Sequence, residues 1–220
     1  MRNSRAVEIV SGLTALGALT VIILSTCEWS PSTNWKLHEA IGRTMAQQTL
    51  SLSGIGGQIT VIARDTVAFK QPAAEIQLDS FKKELRRGGG TIAATQLLQV
   101  DPLRPVEVPP GDFFEWIRRA PASSVIVSFM GPPLLTEEQR SQLGVIKPKV
   151  VAFCSGNLTD HLDLRTLFDQ QLLHAAVVSR HGSPGASLNS QKQAESFDQL
   201  YMSITAANLS SLPAPKVATQ

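Results

Sequence analysis

Short apolar runs that alternate with amphipathic helical segments constrain the fold of this chain more than any other feature. Five runs are typical of strands, at residues 58–64, 91–100, 125–130, 149–154 and 174–179. Between them apolar residues recur at helical spacing, as Leu78, Phe81 and Leu85 do before three glycines. Because each connection is long enough to carry a helix, parallel strands covered on both faces are expected. The pattern predicts a doubly wound α/β fold with a mainly parallel, five-stranded sheet and helices on both faces.

The two ends of the chain complete the predicted domain organisation. In residues 35–52, Leu37, Ile41 and Met45 lie roughly on one face, which predicts a linking helix. Near the other end, the spacing of Phe197, Leu200, Tyr201 and Ile204 predicts a last amphipathic helix. The predicted organisation is an N-terminal membrane anchor (1–34), a linking helix and loop (35–57), an α/β domain (58–209) and a flexible tail (210–220).

The anchor is predicted from residues 9–27, an uncharged apolar run with the length of a helix that spans a bilayer. Arg2 and Arg5 precede this run, and basic residues favour the cytoplasmic side, so the body from about Glu28 onward is expected outside the cytoplasm. The run therefore predicts a single-pass protein of a bacterial inner membrane, with its body in the periplasm or outside the cell.

Two other interpretations of the apolar run stay open. A cleaved signal peptide also has a basic start and an apolar middle, and its removal would release the body. The residues before Cys27 resemble a bacterial lipoprotein cleavage box, in which Cys27 would become the lipidated first residue, although Thr26 differs from the small residue usual before that cysteine. All three interpretations place the body outside the cytoplasm.

Composition and charge argue against several classes of function. Hydrophobic residues make up 43% and charged residues 17% of the chain, which is apolar enough to bury a core. The net charge is only +2, and the basic residues are scattered, so nucleic-acid binding is not indicated. Cys27 and Cys154 lie in different settings, and the four histidines show no ligand spacing with them, so we predict neither a disulfide nor a metal site.

The carboxyl ends of the predicted strands are the expected ligand site, because open parallel sheets bind ligands there, near the point where strand order reverses. The polar residues at these ends that we assign to ligand binding are Arg64, Asp65, Asp101, Ser155, Asn157, Arg180 and His181. The alternative is that Asp, Ser and Asn occur there because loops need turn-forming residues.

No pattern identifies catalytic residues or a cofactor. The glycines at 54–57 precede the first strand, whereas a dinucleotide-binding fingerprint needs glycines after it. The Arg-His-Gly sequence at 180–182 matches the short core of the histidine phosphatases, but it follows the last predicted strand rather than the first. Cys154 ends a buried strand with no cation nearby in the sequence, which favours an inert core thiol.

Several stretches together resemble a known family. They are ITVIARDT, AAEIQLDSFKKELRRGGGTIAATQLLQVDP, SVIVSFMGPP and KVVAFCSG. In this order they resemble strands and the first helix in one lobe of the type I periplasmic sugar-binding proteins, the ribose-binding kind attached to ABC importers. In that family aromatic residues near the first helix stack on sugars, and the corresponding residue here would be Phe69. The family closes two lobes on a ligand, whereas this chain has the length of one.

The resemblance implies a membrane-anchored, non-catalytic, solute-binding-like domain whose partner is a small polar solute. The alternative is an accessory or scaffold subunit of a larger membrane complex, and a hydrolase of unknown substrate comes third. A receptor needs polar groups that converge in a pocket, whereas a scaffold needs an apolar patch on an outer face. A polar pocket at the strand ends would therefore favour the solute-binding hypothesis, and an apolar patch on an outer face would favour the scaffold.

Overall fold

The computed structural model describes five parts of the chain, residues 34–54, 56–100, 107–156, 162–180 and 196–212. All of them belong to one compact unit, Asn34–Gln220. Among these residues no helix has the length and apolar character needed to cross a membrane. The predicted anchor at 9–27, with Cys27, lies outside the described residues.

Strands and helices alternate along the described chain, which confirms the α/β class. The strands are β1 (Ile59–Arg64), β2 (Ile92–Leu98), β3 (Val125–Ser128), β4 (Lys149–Cys154), β5 (Ala175–Ser179) and β6 (Tyr201–Thr205). The α-helices are α1 (Trp35–Ser53), α2 (Pro72–Arg87), α3 (Pro110–Arg119), α4 (Glu137–Gln142), α5 (Leu164–Asp169) and α6 (Phe197–Leu200), and a 3₁₀ helix follows at Ala206–Ser211.

The strands form one sheet in the order β2-β1-β3-β4-β5-β6. Neighbouring strands from β2 to β5 run parallel, and β6 is antiparallel to β5. The sheet is therefore mainly parallel, as predicted. Strand order reverses at β1, because β2 lies on one side of it and β3 on the other, and this reversal is the place where α/β sheets of this type form a crevice.

Within the described residues the sheet has six strands, so the prediction of five strands and a last amphipathic helix was wrong. The α-helix there is limited to Phe197–Leu200, and the following residues pair with β5 as β6. Ile204 is fully buried in this strand. Its spacing from Leu200 fits a helical period, but Tyr, Ile and Thr also favour a pleated strand, and pairing with β5 satisfies their backbone groups.

Helices cover both faces of the sheet because side chains alternate along each buried strand. On one face, Val61 and Val127 pack with residues of α1 and α2. On the other face, Ile62 and Ile126 pack with residues of α3 and α5. The helical residues of the first cluster include Leu37, Ile41, Met45, Phe81 and Leu85, and those of the second include Phe113, Ile117, Leu164, Leu167 and Phe168.

Helix α1, expected from sequence as a link, also forms part of the core. It packs parallel to α2: His38 Nδ1 lies 3.0 Å from Gln77 Nε2 near the start of both helices, and Leu50 lies beside Gly88 near their ends. The helices approach so closely at Gly42 that a Cβ there would overlap the carbonyl oxygen of Gln77. Only glycine permits this backbone-to-backbone contact.

The described chain ends in a packed segment. After the 3₁₀ helix, Leu212 is 8% exposed, and its carbonyl oxygen accepts a hydrogen bond from Arg165 Nη2 at 2.7 Å. Order thus extends to Leu212, inside the segment expected as a flexible tail. The remainder of that segment, 213–220, lies outside the described residues.

Candidate functional site

Arg64 and Asp65 lie at the carboxyl end of β1 and connect it to β2. The Asp65 N–H donates to the carbonyl oxygen of Leu98 at 2.8 Å, and Arg64 Nη2 donates to that of Val100 at 3.4 Å. Asp65 Oδ1 accepts from the Val67 N–H at 2.9 Å, which is the side-chain-to-backbone turn that Asp favours. Both residues are half-buried and partly used by the fold, and each keeps polar atoms that a ligand could meet.

Ser155 and Arg180 lie at the same edge of the sheet, after β4 and β5. Ser155 is exposed, and the next residue, Gly156, donates its N–H to Ser179 Oγ at 3.1 Å. Arg180 is held against β6, because its backbone N–H donates to Leu200 O at 2.8 Å and its Nε to the Tyr201 carbonyl at 3.2 Å. These hydrogen bonds connect the end of β4 to the end of β5, and the end of β5 to the start of β6.

The structure therefore places the described candidates in two groups along one edge. Strand β3 separates β1 from β4, so Arg64 and Asp65 are two strand spacings, about 10 Å, from Ser155 and three, about 14 Å, from Arg180. The remaining candidates, Asp101, Asn157 and His181, lie outside the described residues. Convergence of all seven side chains on one crevice stays a prediction.

The end of β3, between the two groups, presents little polar surface. Ser128 is fully buried, and its Oγ accepts the Met130 N–H at 3.2 Å. Phe129 packs edge-on against Phe81 with ring centroids 5.4 Å apart. The following residues, Gly131 to Pro133, are buried. The polar groups at this edge thus lie on either side of β3, at the ends of β1, β4 and β5, rather than at the end of β3 itself.

Large apolar side chains are exposed to solvent at the carboxyl edge, and the sequence patterns did not predict them. Val67 and Phe69, on the loop between β1 and α2, are 81% and 56% exposed. Leu97, paired with Ala63 near the end of β2, is 54% exposed. Trp35 begins α1 at the same end, because α1 runs parallel to α2, and it is also exposed. This edge carries an apolar surface beside its polar groups.

The titratable groups Cys154, at the end of β4, and Tyr201, at the start of β6, are buried and half-buried respectively. Burial raises the pKa of the Cys154 thiol to about 12, so the sulfur is neutral at physiological pH and lacks the thiolate character of a nucleophile. Burial also raises the pKa of Tyr201, and a hydrogen bond to Ser179 opposes that shift. The Tyr201 ring stacks on Phe197 with centroids 6.0 Å apart. Among the described residues no three His, Cys, Asp or Glu side chains form a metal cluster.

A cavity of about 410 Å³ lies at the opposite, amino edge of the sheet, where no site had been predicted. Two glycine-rich turns form most of it, one before β1 and one before β2. Its lining residues are Leu50, Ser53, Gly54, Gly56, Gly57, Gln58, Gly88, Gly89, Gly90, Thr91 and Ala93. The sequence signal was two glycine runs directly before strands, but their proximity follows only once β1 and β2 are known to be neighbours.

Comparison with known proteins adds a fold but no family assignment. No family model matches the chain, and no curated protein matches it. A solved solute-binding protein of an ABC transporter from Burkholderia graminis, in complex with D-arabinose, matches with a TM-score of 0.52 and 19% identity. The match covers 81% of this chain and 62% of that one. The chain is similar in fold to periplasmic sugar-binding proteins.

Two further solved sugar-binding proteins give weaker matches. The carbohydrate transporter solute-binding protein from Agrobacterium radiobacter, also with D-arabinose, has a TM-score of 0.49 and 14% identity, over 79% of this chain and 61% of that one. The periplasmic ribose ABC transporter protein from Conexibacter woesei has a TM-score of 0.43 and 14% identity, over 64% and 45%. The chain spans at most about three-fifths of the length of these periplasmic proteins, and the resemblance noted from sequence is confirmed at the level of the fold.

Proposed function

We propose that this chain is a non-catalytic, solute-binding-like domain, anchored to a membrane and exposed outside the cytoplasm, that binds a small polar solute at the carboxyl edge of its sheet. The observation that carries this proposal is the fold shared with a solved solute-binding protein, combined with the exposed ring of Phe69 on the same loop as Asp65, after β1. We propose no cofactor or metal for this role.

The chemistry at the end of β1 suits a sugar-like solute. An exposed aromatic ring offers an apolar face to the C–H groups of a sugar ring, while Asp65 accepts and Arg64 donates hydrogen bonds to hydroxyl groups. Ligand sites of this kind combine apolar walls with a few placed polar groups. Ser155 and Arg180 lie farther along the edge and would serve a larger ligand or one bridged by water.

Membrane anchoring is supported by the uncharged run at 9–27 and the arginines before it. Alkaline phosphatase, active only outside the cytoplasm, fused after Gln220 is expected to be active in a bacterial host. Activity of a cytoplasmic reporter alone at this position would overturn the proposed topology.

An accessory or scaffold subunit is the second candidate, and a specific observation favours it. Val67, Leu97 and Trp35 form exposed apolar surface at the carboxyl edge, and apolar surface rimmed by polar residues is typical of protein contacts. A partner would then cover the edge at which a solute is proposed to bind.

The two candidates are distinguished by thermal melts of the full chain in a polyoxyethylene detergent, which has no sugar headgroup. D-Arabinose and D-ribose are titrated, since the stability of a binding protein rises with ligand concentration above its dissociation constant. We expect the melting temperature to rise with at least one pentose, and Phe69→Ala to remove the rise while leaving the unliganded melt nearly unchanged.

Val145→Ala is the matched control, because Val145 is 90% exposed and precedes β4 at the opposite edge. It should keep the full response to pentose. If neither pentose raises the melting temperature of the unmodified chain, binding of this solute class is excluded and the accessory-subunit proposal is preferred.

A further inference from the structure

Strand β2 is an edge strand that lacks most of the usual protection. Among the described residues it pairs only with β1, so its other side has no neighbouring strand. Edge strands normally carry charged residues, proline or another blocking feature, because their free backbone groups otherwise pair with a second chain. The seven residues of β2, IAATQLL, contain no charge, proline or glycine. Its pairing with β1 is irregular only near its start, where Ala93 stands between the partners of Ile59 and Thr60, so the regular part of the strand is residues 94–98.

The backbone direction shows which residues offer free groups. Leu98 directs its carbonyl oxygen toward β1, where it accepts the Asp65 N–H. Backbone groups of successive strand residues point to opposite sides, so those of Thr95 and Leu97 point away from β1. The side chain of Leu97 is also 54% exposed. The outer side of β2 thus combines apolar surface with backbone groups that pair with no strand in the described part of the chain.

The opposite edge of the sheet is blocked. The side chain of Asn208, in the 3₁₀ helix, donates through Nδ2 to the Ser203 carbonyl at 2.9 Å and accepts the Thr205 N–H at 2.7 Å. These bonds occupy backbone groups of β6 that do not pair with β5. A molecule with one open edge forms a closed pair, whereas two open edges would allow a growing chain of copies.

We propose that β2 pairs antiparallel with β2 of a second copy of this chain, about a two-fold axis at Thr95. In this register Thr95 faces Thr95 of the second copy, and Ala94 faces Gln96, all within the regular part of β2. Each large side chain meets a small one, threonine pairs with threonine, and no like charges face each other. The strand is complementary to itself, which is the requirement for a two-fold interface and the reason to assign a second copy as the partner.

Disulfide crosslinking of the full chain tests this register. All variants carry Cys27→Ser, and the remaining native thiol, Cys154, is buried. Facing residues at a hydrogen-bonded antiparallel position have Cα atoms about 5.5 Å apart, within the range of a disulfide. On oxidation, we expect the Thr95→Cys variant to move from the monomer band to the dimer band. The bands are compared in the cell fraction that contains the protein. Val145→Cys, a control at another exposed surface position, should remain monomeric.

Two outcomes of the crosslinking would overturn the proposal. If the Thr95→Cys variant reacts with a maleimide but crosslinks no more than the Val145→Cys variant, the edge is free and unpaired. If the Thr95→Cys variant neither reacts nor crosslinks, a segment of the same chain covers β2.

A second measurement avoids the new cysteine. Thr95→Lys places like charges at the axis and should convert a dimer to a monomer by light scattering in detergent, while Val145→Lys leaves the mass unchanged. A native chain that is monomeric at every concentration would also contradict the pairing.

Discussion

At one edge of the sheet β6 is antiparallel, contributes the fully buried Ile204 and has its outer backbone groups bound by Asn208. At the other edge β2 is parallel, only half-buried, and has exposed Leu97 at its end. The difference shows that burial in the core and protection of backbone groups occur together at β6 and are both weak at β2. At β6 this protection comes from the chain that follows the strand, because the 3₁₀ helix places Asn208 against the outer backbone groups of β6.

The largest expected effect comes from truncating one apolar residue on each edge. Ile204→Ala should destabilise the domain by about 2–5 kcal/mol, because it removes buried methyl groups and leaves a cavity. Leu97→Ala should cost within about 0.5–1 kcal/mol, since its side chain is largely in solvent. The free energy of unfolding from urea titrations checks both values.

Equal losses of stability for the two variants would contradict the difference in burial between the two edges. The slope of each titration should match that of the unmodified chain, which shows that the substitution changed stability and not the surface exposed on unfolding.

A smaller effect is expected from Asn208→Ala, which leaves the Ser203 carbonyl and the Thr205 N–H of β6 without their side-chain partner. Both bonds are exposed, so water can reach the freed groups, and we expect a loss of about 0.5–1.5 kcal/mol, the net contribution of a typical hydrogen bond. Freed from Asn208, β6 should also allow species larger than a dimer, seen by light scattering.

Asn208→Asp is the matched variant, because a carboxylate keeps the acceptor for Thr205 but loses the donor to Ser203. It should lie between alanine and asparagine in stability. If Asn208→Ala neither destabilises the domain nor changes its mass, the side chain does not protect this edge.

The smallest expected effect comes from His174, whose ring accepts a backbone N–H inside the sheet, as the side chain of Asn208 does at its edge. His174 Nδ1 accepts the Val150 N–H at 3.2 Å. Burial lowers the pKa of His174, and the charges of Lys149 and Lys147 lower it further. The folded state therefore prefers the neutral ring, so this contribution to stability is full above the pKa of the unfolded chain, near 6.5, and is lost as the pH falls through the lowered folded value.

Melting temperatures between pH 7 and pH 4 should consequently fall more steeply for the unmodified chain than for His174→Gln, which cannot be protonated in this range. His38 also has a pKa lowered by burial, so both proteins are compared in a His38→Gln background. Parallel pH profiles would show that the ladder does not depend on the neutral ring.

Local sequence patterns predicted elements whose causes are local. The apolar run 149–154, predicted as a strand, coincides with β4. Strand β6 was missed because its residues also fit a helical period, and only pairing with β5 decides between the two.

The candidate site was predicted less completely, for a related reason. Strand ends could be located along the chain, but which ends are neighbours depends on strand order, a long-range property that no local pattern contains. Sequence alone thus did not separate Asp65 from Arg180 by the two intervening strands, nor bring the two glycine turns of the amino-edge cavity together.

The close contact at Gly42 has a mechanical consequence. Helix α1 is the first element of the described chain, and it is locked against α2 where the two backbones touch. A force applied to the N-terminal end of α1 along the helix axis would act as shear on the contact between α1 and α2. Force or orientation imposed there is thus transmitted directly to α2 and, through Phe81 and Leu85, to the sheet.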